Sequence, residues 1–187
     1  MPLVVLLGGA RSGKSRLAVE LAGAAAGRPA FLATAEARDD EMRARIASHR
    51  GERGEGWDTL EEPLELAAAI ASVPGRQTLV VDCLSLWVAN LLERGDSPEG
   101  VLAAARAAAG GAAARAGLTV VVSNEVGLGI VPATPLGRAY RDLLGSVNRA
   151  WVDAAAEAAF VVAGRALPLV AVDALASSLV GGQGAPR

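Results

Sequence analysis

One short stretch near the amino terminus limits the possible folds of this chain more than any other. Five apolar residues, Leu3 to Leu7, run directly into the segment GGARSGKS, from Gly8 to Ser15. This segment matches the pattern G-x-x-x-x-G-K-[ST] of a phosphate-binding loop. Such a loop needs a buried strand before it and a helix after it, because the helix amino terminus and the loop amides surround the anion together. The stretch therefore predicts an α/β fold with a nucleotide phosphate site.

The residues of this loop have separable roles. The glycines allow backbone amides to turn toward the phosphates, and Lys14 places a compact positive charge on the outer phosphates. Lys14 is the sole lysine among the 187 residues. Ser15 is placed to ligate Mg²⁺ through its hydroxyl. We predict nucleotide contacts along the whole loop: Gly8, Gly9, Ala10, Arg11, Ser12, Gly13, Lys14 and Ser15.

Short apolar runs alternate with helical segments along the rest of the chain. The pattern predicts strands at 30–34, 78–82, 118–122, 160–163 and 167–172, and helices at 14–26, 39–50, 64–73, 84–92, 98–116 and 136–158. This alternation indicates a mostly parallel central sheet with helices on both faces. Ligands of such sheets bind at the carboxyl ends of the strands. We predict one P-loop NTPase-like domain, residues 1–180, followed by a disordered tail, residues 181–187.

The composition excludes several classes of protein. A hydrophobic content of 52% with 20% charged residues fits a single well-filled core. The formal net charge of −2 provides no basic field, so we expect no nucleic-acid partner. The apolar runs are too short for membrane insertion or for a signal peptide. The lone Cys83 is typical of a reducing compartment, and we expect a cytoplasmic protein.

Asp82 closes the apolar run 78–82 with a carboxylate. In phosphate-loop enzymes a carboxylate at the end of such a strand holds Mg²⁺, directly or through water. The alternative is that Asp82 caps the turn that follows the strand. Together with the phosphate loop the metal role is favoured, and Ser15 and Asp82 are the predicted Mg²⁺ ligands.

His49 is the one histidine of the chain, and it has two interpretations. Arg45, Arg50 and Arg53 lie close to it in the sequence. In the first interpretation His49 is an exposed or capping residue near the end of a helix. In the second, the neighbouring cations disfavour its protonation and leave a nucleophilic nitrogen that can attack phosphorus. The residues alone leave both interpretations open.

Two further segments are candidates for ligand contacts. The loop from Trp57 to Glu62 places an aromatic ring beside carboxylates, which can clamp a nucleoside or can anchor the loop to the core. Asn124 to Pro132 follows a strand and is a candidate substrate loop. One polar face of the next helix can point at this loop or can be solvated: Arg138, Arg141, Asp142 and Asn148.

Together these motifs resemble those of a known enzyme family. They are GGARSGKS at 8–15, ATA at 33–35, DDEMRARI at 39–46, HRGER at 49–53, WDTLEEP at 57–63, VVDCLSLWVANLL at 80–92 and SNEVGLGIVP at 123–132. Over nearly the whole chain, and in this order, they resemble the bifunctional adenosylcobinamide kinase and adenosylcobinamide-phosphate guanylyltransferase family.

The resemblance implies a role in cobalamin assembly. Members of this family phosphorylate the aminopropanol hydroxyl of adenosylcobinamide with ATP or GTP and then transfer GMP from GTP to the resulting phosphate. The resemblance also implies that His49 carries the guanylyl group, that Lys14 and Mg²⁺ assist the kinase step, and that the protein is a homotrimer. The nucleotide contacts that it implies outside the loop are Ala33, Thr34, Ala35, Arg50, Gly51, Glu52, Arg53, Glu61 and Asp82.

Two other functions are compatible with the same residues. The chain can be a guanylyltransferase without kinase activity, because both reactions use one loop. It can also be a P-loop module that binds GTP without chemistry, although His49 and its neighbouring arginines count against that function.

Overall fold

The computed structural model of the chain describes residues 2–37, 39, 40, 43, 44, 47, 51 and 56–173. Strands and helices alternate along these residues. The strands are β1 (Leu3–Gly8), β2 (Ala30–Ala33), β3 (Asp58–Glu61), β4 (Leu79–Asp82), β5 (Thr119–Asn124), β6 (Glu157–Val162) and β7 (Arg165–Pro168). The helices are α1 (Lys14–Gly23), α2 (Leu66–Ser72), α3 (Leu84–Arg94), α4 (Pro98–Ala113) and α5 (Pro135–Ala154).

The strands form a single sheet in the order β3-β2-β4-β5-β1-β6-β7. Strands β1 to β6 pair in parallel, and β7 pairs antiparallel to β6. The mostly parallel sheet that the strand and helix pattern predicts is therefore confirmed. No helix in the described part of the chain is both long and apolar enough to span a membrane.

Successive strand residues pack on opposite faces of the sheet. Helix α1 covers one face, where its alanines Ala18 and Ala22 lie in one core cluster with Leu6, Phe31, Val80, Val120 and Val122. Helices α2 to α5 cover the other face, in a cluster with Val5, Leu7, Leu32, Val81 and Val121. We call these the α1 face and the α5 face. Because both faces are covered, the central strands are apolar at almost every position, which is why their pattern identifies them so clearly.

Several element boundaries differ from the prediction. The pattern predicts a loop over residues 57–62, whereas Asp58–Glu61 forms strand β3 at the edge of the sheet. This strand alternates half-buried and exposed residues and includes the charged Asp58 and Glu61. Charged residues are common in edge strands, and here they interrupt the apolar run by which the central strands are recognised. Strand β5 extends to Asn124, two residues beyond the prediction, and β7 occupies 165–168 rather than 167–172. Most of the predicted helix 39–50, and the predicted tail 181–187, lie outside the described residues.

Arg115 is a buried cation at the amino-terminal end of the sheet that the sequence pattern does not single out. Its guanidinium donates to the carbonyl oxygens of Ile70 (3.1 Å), Val73 (2.8 Å), Pro74 (3.1 Å) and Gln77 (2.7 Å). Burial lowers the pKa of this guanidinium from its ordinary value. One side chain, two residues after the end of helix α4, thus contacts both the last turn of α2 and the segment between α2 and β4.

We expect Arg115→Ala to lower the free energy of unfolding by about 3 kcal/mol, because buried carbonyl groups lose charged donors. Urea denaturation followed by circular dichroism measures this change. Arg106→Ala is the matched control, since Arg106 is an exposed arginine of α4, and its effect should stay within about 0.5 kcal/mol. A loss below about 1 kcal/mol in the Arg115 variant, within the range of one ordinary hydrogen bond, would contradict this role.

Candidate active site

The phosphate loop connects β1 to α1 and is packed against the turn between β6 and β7. The amide of Gly164 in that turn donates to the carbonyl oxygen of Ser12 at 2.9 Å. A Cβ atom on Gly8 would lie 2.2 Å from the carbonyl oxygen of Val161, and one on Gly13 would lie 3.3 Å from Cα of Gly164. Gly13 also has a positive φ of 102°. These two glycines are therefore required by close packing and by backbone conformation.

Lys14 folds back over the loop. Its side chain is only 5% exposed, and Nζ donates to the carbonyl oxygens of Gly8 at 2.8 Å and Gly9 at 2.6 Å. The hydroxyl of Ser12 lies 3.4 Å from the same nitrogen. The ammonium group is thus held inside the loop that the sequence predicts to bind phosphate, at the amino terminus of helix α1.

The carboxyl ends of the strands bring the other predicted residues to one edge of the sheet. Glu61 pairs in register with Ala33, and Ala33 pairs with Asp82. Asp82 follows Val81 by one position, so it faces the same side as Val80, which is the α1 face. Ser15 lies in the first turn of α1. A hydroxyl and a carboxylate, both half-buried, therefore stand at the same edge and on the same face.

Thr34 has protein partners for each of its polar groups. Its hydroxyl donates to the carbonyl oxygen of Cys83 at 2.7 Å and accepts from the Cys83 amide at 2.9 Å. Its own amide donates to the carbonyl oxygen of Asp82, and its carbonyl oxygen accepts from Asn90. In this structure Thr34 joins β2 to the end of β4, and its predicted nucleotide contact stays a prediction.

A cavity of about 630 Å³ opens beside the end of β3. Its lining includes two residues that are predicted to contact the nucleotide, Ala35 and Glu61, together with Arg43 and Glu36. Its volume lies in the range that accommodates a nucleoside. Ala47, a described residue of the predicted helix 39–50, also lines it.

Some predicted residues cannot be placed. His49, Arg50, Glu52 and Arg53 lie outside the described residues. Gly51 is described and lies in a helical position with an exposed surface. The roles of these residues as nucleophile and nucleotide contacts stay predictions.

Two tryptophans near the sheet edge, Trp57 and Trp87, pack against the core. Trp57 packs edge-to-face on Phe31, with ring centroids 6.2 Å apart at an interplanar angle of 76°. Trp87 is 1% exposed, and its indole nitrogen donates to the carbonyl oxygen of Leu64. For Trp57 the structure shows the anchoring contact, the second of the two alternatives that the sequence left open.

The segment after β5 begins against the phosphate loop. The amide of Glu125 donates to the carbonyl oxygen of Gly8 at 2.9 Å, the same oxygen that accepts from Lys14. Farther along, Arg138 of helix α5 donates to the carbonyl oxygens of Pro132 and Ala133, both at 2.9 Å. Both ends of the candidate substrate loop are thus fixed, and Leu128 and Ile130 between them are exposed.

A buried polar network, which the sequence pattern reveals only in part, holds the end of β5. Asn124 donates through Nδ2 to the hydroxyl of Ser85 at 3.0 Å. The same hydroxyl lies 2.9 Å from Sγ of Cys83, and the Ser85 carbonyl oxygen accepts from Tyr140 at 2.9 Å. Burial, with a smaller contribution from the thiol of Cys83, raises the pKa of Tyr140 to about 12. The phenol is therefore neutral at physiological pH and remains a donor.

Asn148 completes this network from the α5 face. It accepts from the hydroxyl of Ser123 at 2.6 Å and donates to the carbonyl oxygen of Asn124 at 3.0 Å. Asn148 is 4% exposed, whereas Arg141 and Asp142 form an ion pair whose aspartate is largely exposed. The polar helix face that the sequence suggests is therefore divided between a buried contact to β5 and a solvated pair.

Comparison with known proteins agrees with this geometry. A family model described as cobinamide kinase / cobinamide phosphate guanyltransferase matches residues 4–169. The matched range includes the phosphate loop, the end of β4 and the segment after β5. The chain belongs to this family.

Individual relatives match almost their full length. A bifunctional adenosylcobalamin biosynthesis protein, CobP of Pseudomonas aeruginosa, is 44% identical over 166 residues, which is 88% of this chain and 95% of that protein. The bifunctional adenosylcobalamin biosynthesis protein CobU of Escherichia coli is 35% identical over 175 residues, 87% of this chain and 96% of that protein. The family resemblance that the motifs indicate is therefore confirmed.

A solved structure supports the fold. The chain is similar to an ATPase from the type III secretion system of pathogenic bacteria, with a TM-score of 0.57 and 10% sequence identity. The similarity covers 95% of this chain and 61% of that ATPase. At this identity the likeness concerns the fold alone, and it agrees with the predicted P-loop NTPase-like architecture.

Proposed function

We propose that this protein phosphorylates adenosylcobinamide with ATP or GTP and then transfers GMP from GTP to adenosylcobinamide phosphate. The products of the second step are adenosyl-GDP-cobinamide and pyrophosphate. The observation that carries this proposal is the family match over residues 4–169. The packed phosphate loop, with the Lys14 ammonium held inside it, supports the same conclusion.

In the kinase step, the loop amides and Lys14 hold the phosphates of the donor. Lys14 leaves its contacts with Gly8 and Gly9 and stabilises the charge that develops as the terminal phosphoryl group moves to the substrate hydroxyl. Such catalysis consists mainly of positioning and electrostatics. A loop that keeps its shape through the packing of Gly8 and Gly13 suits it, because little reorganisation is needed when the nucleotide binds.

The donor set at the sheet edge fits Mg²⁺. Ser15 and Asp82 provide a hydroxyl and a carboxylate on the α1 face, and Mg²⁺ is commonly held by one or two such oxygens together with substrate phosphates and water. Within the described residues, no group of three or more His, Cys, Asp or Glu side chains could hold a metal ion by itself. Mg²⁺ would supply charge neutralisation at the phosphates.

In the guanylyl transfer step, His49 attacks the α-phosphorus of GTP and pyrophosphate leaves. The guanylyl group then passes to the phosphate of the substrate, so that one difficult displacement becomes two easier ones. Arg50 and Arg53 would neutralise the leaving pyrophosphate. The cavity at Ala35 and Glu61 supports a nucleoside site beside this segment.

The proposal includes a cytoplasmic homotrimer. Exposed apolar side chains close together in the sequence near the sheet edge support an interface between protein chains. Val162 ends β6, Leu167 lies in the edge strand β7, and Leu169, Val170 and Val172 follow β7. Sedimentation equilibrium would test the number of subunits, and a monomeric mass would contradict this part of the proposal.

One assay separates the proposed function from its alternatives. The protein is incubated with adenosylcobinamide, Mg²⁺ and either ATP or GTP, and the products are identified by mass spectrometry. The proposal predicts adenosylcobinamide phosphate with both nucleotides and the GDP-linked product only with GTP. In a second incubation, adenosylcobinamide phosphate replaces adenosylcobinamide. Formation of the GDP-linked product there, with no phosphorylation of adenosylcobinamide in the first incubation, would show a guanylyltransferase alone. Binding of GTP without product would show a non-catalytic module.

A further inference from the structure

Strand β5 lies between the strand that leads into the phosphate loop and the strand that ends in Asp82. In this arrangement Asn124 pairs in register with Gly8, and Val122 pairs with Asp82. The last residue of β5 therefore lies between the loop that contains Lys14 and the end of β4. The sequence places Asn124 only at the start of the candidate substrate loop and does not include it among the nucleotide or metal contacts.

The alternation of side chains along β5 places Asn124 on the α1 face of the sheet. Val120 and Val122 belong to the core cluster of α1, and alternation puts Asn124 on that face as well. Asp82, two positions after Val80, shares this face. The intervening Ser123 contacts Asn148 on the α5 face instead. Asn124 is thus a neutral amide between the proposed Mg²⁺ ligand and the loop lysine.

The amide of Asn124 is held in place by buried groups. Nδ2 carries two hydrogens, and one of them is donated to the hydroxyl of Ser85 at 3.0 Å. Ser85 is 2% exposed and is fixed by its contacts with Cys83 and Tyr140. The Asn124 backbone is fixed by Asn148, at 3.0 Å. Asn124 itself is half-buried at the ligand edge of the sheet, so its second amide hydrogen can serve a ligand.

We propose that Asn124 is a catalytic residue of the phosphoryl transfer step, donating an amide hydrogen to the terminal phosphoryl group, and that Ser85 is its positioning residue. The inference rests on the proposed function. In this step the substrate hydroxyl oxygen forms a bond to the γ-phosphorus, and the bond from the γ-phosphorus to the β–γ bridging oxygen breaks. The nucleoside diphosphate leaves, and the hydroxyl proton passes to water. Asn124 exchanges no proton and stabilises charge on the moving group.

This role distinguishes the two reactions of the protein. In guanylyl transfer the broken bond lies between the α-phosphorus and the α–β bridging oxygen, so a contact with the γ-phosphoryl group is equally strong before and during the reaction. A uniform contact changes KM but leaves kcat unchanged. Loss of the Asn124 amide should therefore lower kcat of the kinase step and spare kcat of guanylyl transfer.

The test measures kcat and KM for both reactions in Asn124→Ala and Asn124→Asp. Phosphorylation of adenosylcobinamide is followed by mass spectrometry, and formation of the guanylyl-enzyme is followed with α-labelled GTP. We expect kcat of the kinase step to fall by about 10²-fold in both variants, with kcat of guanylyl transfer within about threefold of the wild type.

Asn124→Asp can still bond the Ser85 hydroxyl, which then becomes the donor. Recovery of kinase activity in that variant would mean that Asn124 is only structural, and would overturn the proposal.

Ser85→Ala and the double variant test the positioning role. We expect Ser85→Ala to lower kinase kcat by about tenfold, and the double variant with Asn124→Ala to be no slower than Asn124→Ala alone, since both changes act through one amide. If the fold-losses in kinase kcat of the two single variants multiply in the double variant, Ser85 does not act through Asn124 and this role is contradicted. Ser146→Ala is the matched control, because it removes one side-chain hydrogen bond, to the Asp142 carbonyl oxygen, at an exposed position of α5, and its kinase kcat should match that of the wild type.

Failure of this inference can be told from failure of the proposed function. If the wild-type protein phosphorylates adenosylcobinamide and Asn124→Ala does so equally fast, the inference is wrong and the function stands. If the wild-type protein forms no phosphorylated product, the kinase function itself is wrong, and the role of Asn124 is rejected with it.

Discussion

His49→Ala should abolish transfer of label from α-labelled GTP to the protein, lowering the rate of guanylyl transfer by about 10⁴-fold or more, as loss of a nucleophile does in other enzymes. The physical reason is that the variant has no nitrogen that can form the phosphorus–nitrogen intermediate. Because His49 is the only histidine of the chain, no neighbouring imidazole can replace it. The measurement is label retained on denatured protein.

The kinase reaction is the internal control for this variant. Phosphorylation of adenosylcobinamide attacks the γ-phosphorus and needs no covalent intermediate on His49, so it should persist at a measurable rate. Undiminished labelling of the His49 variant would contradict the proposed nucleophile. Loss of both reactions with an unchanged unfolding transition would show that His49 acts in nucleotide binding rather than as the nucleophile alone.

Lys14→Met should slow both reactions, each by about 10² to 10³-fold in kcat, because one ammonium group serves the phosphates in both steps. Methionine keeps an unbranched side chain of similar length while removing the charge, so the effect reports the ammonium group itself. Steady-state kinetics with GTP in both assays measures the effect. Loss of only one reaction would show that two separate nucleotide sites exist.

Arg16→Ala is the matched control for Lys14. Arg16 is a cation in the same first turn of α1, but its side chain is 83% exposed and pairs with Glu20 on the surface. Surface ion pairs contribute little to stability. Both reactions should therefore proceed at wild-type rates in this variant, and a loss there would mean that the general charge of the helix start, rather than the position of Lys14, is responsible.

The phosphate loop and the central strands could be predicted because their signals are local. The motif from Gly8 to Ser15 requires one backbone shape, and strands covered on both faces are apolar at nearly every position. Strand β3 could not be predicted in this way. It lies at the edge and includes Asp58 and Glu61, so its identity depends on the backbone of β2, which pairs with it.

The sequence by itself determined the phosphate loop, the parallel α/β architecture and the family, since each depends on residues that are consecutive or regularly spaced. Tertiary structure decided which polar side chains meet. Arg115 reaches four carbonyl groups 38 to 45 positions away, and Asn124 meets Ser85 across 39 positions. Such contacts carry no local pattern, because they form only when packed helices and strands bring distant backbone segments together.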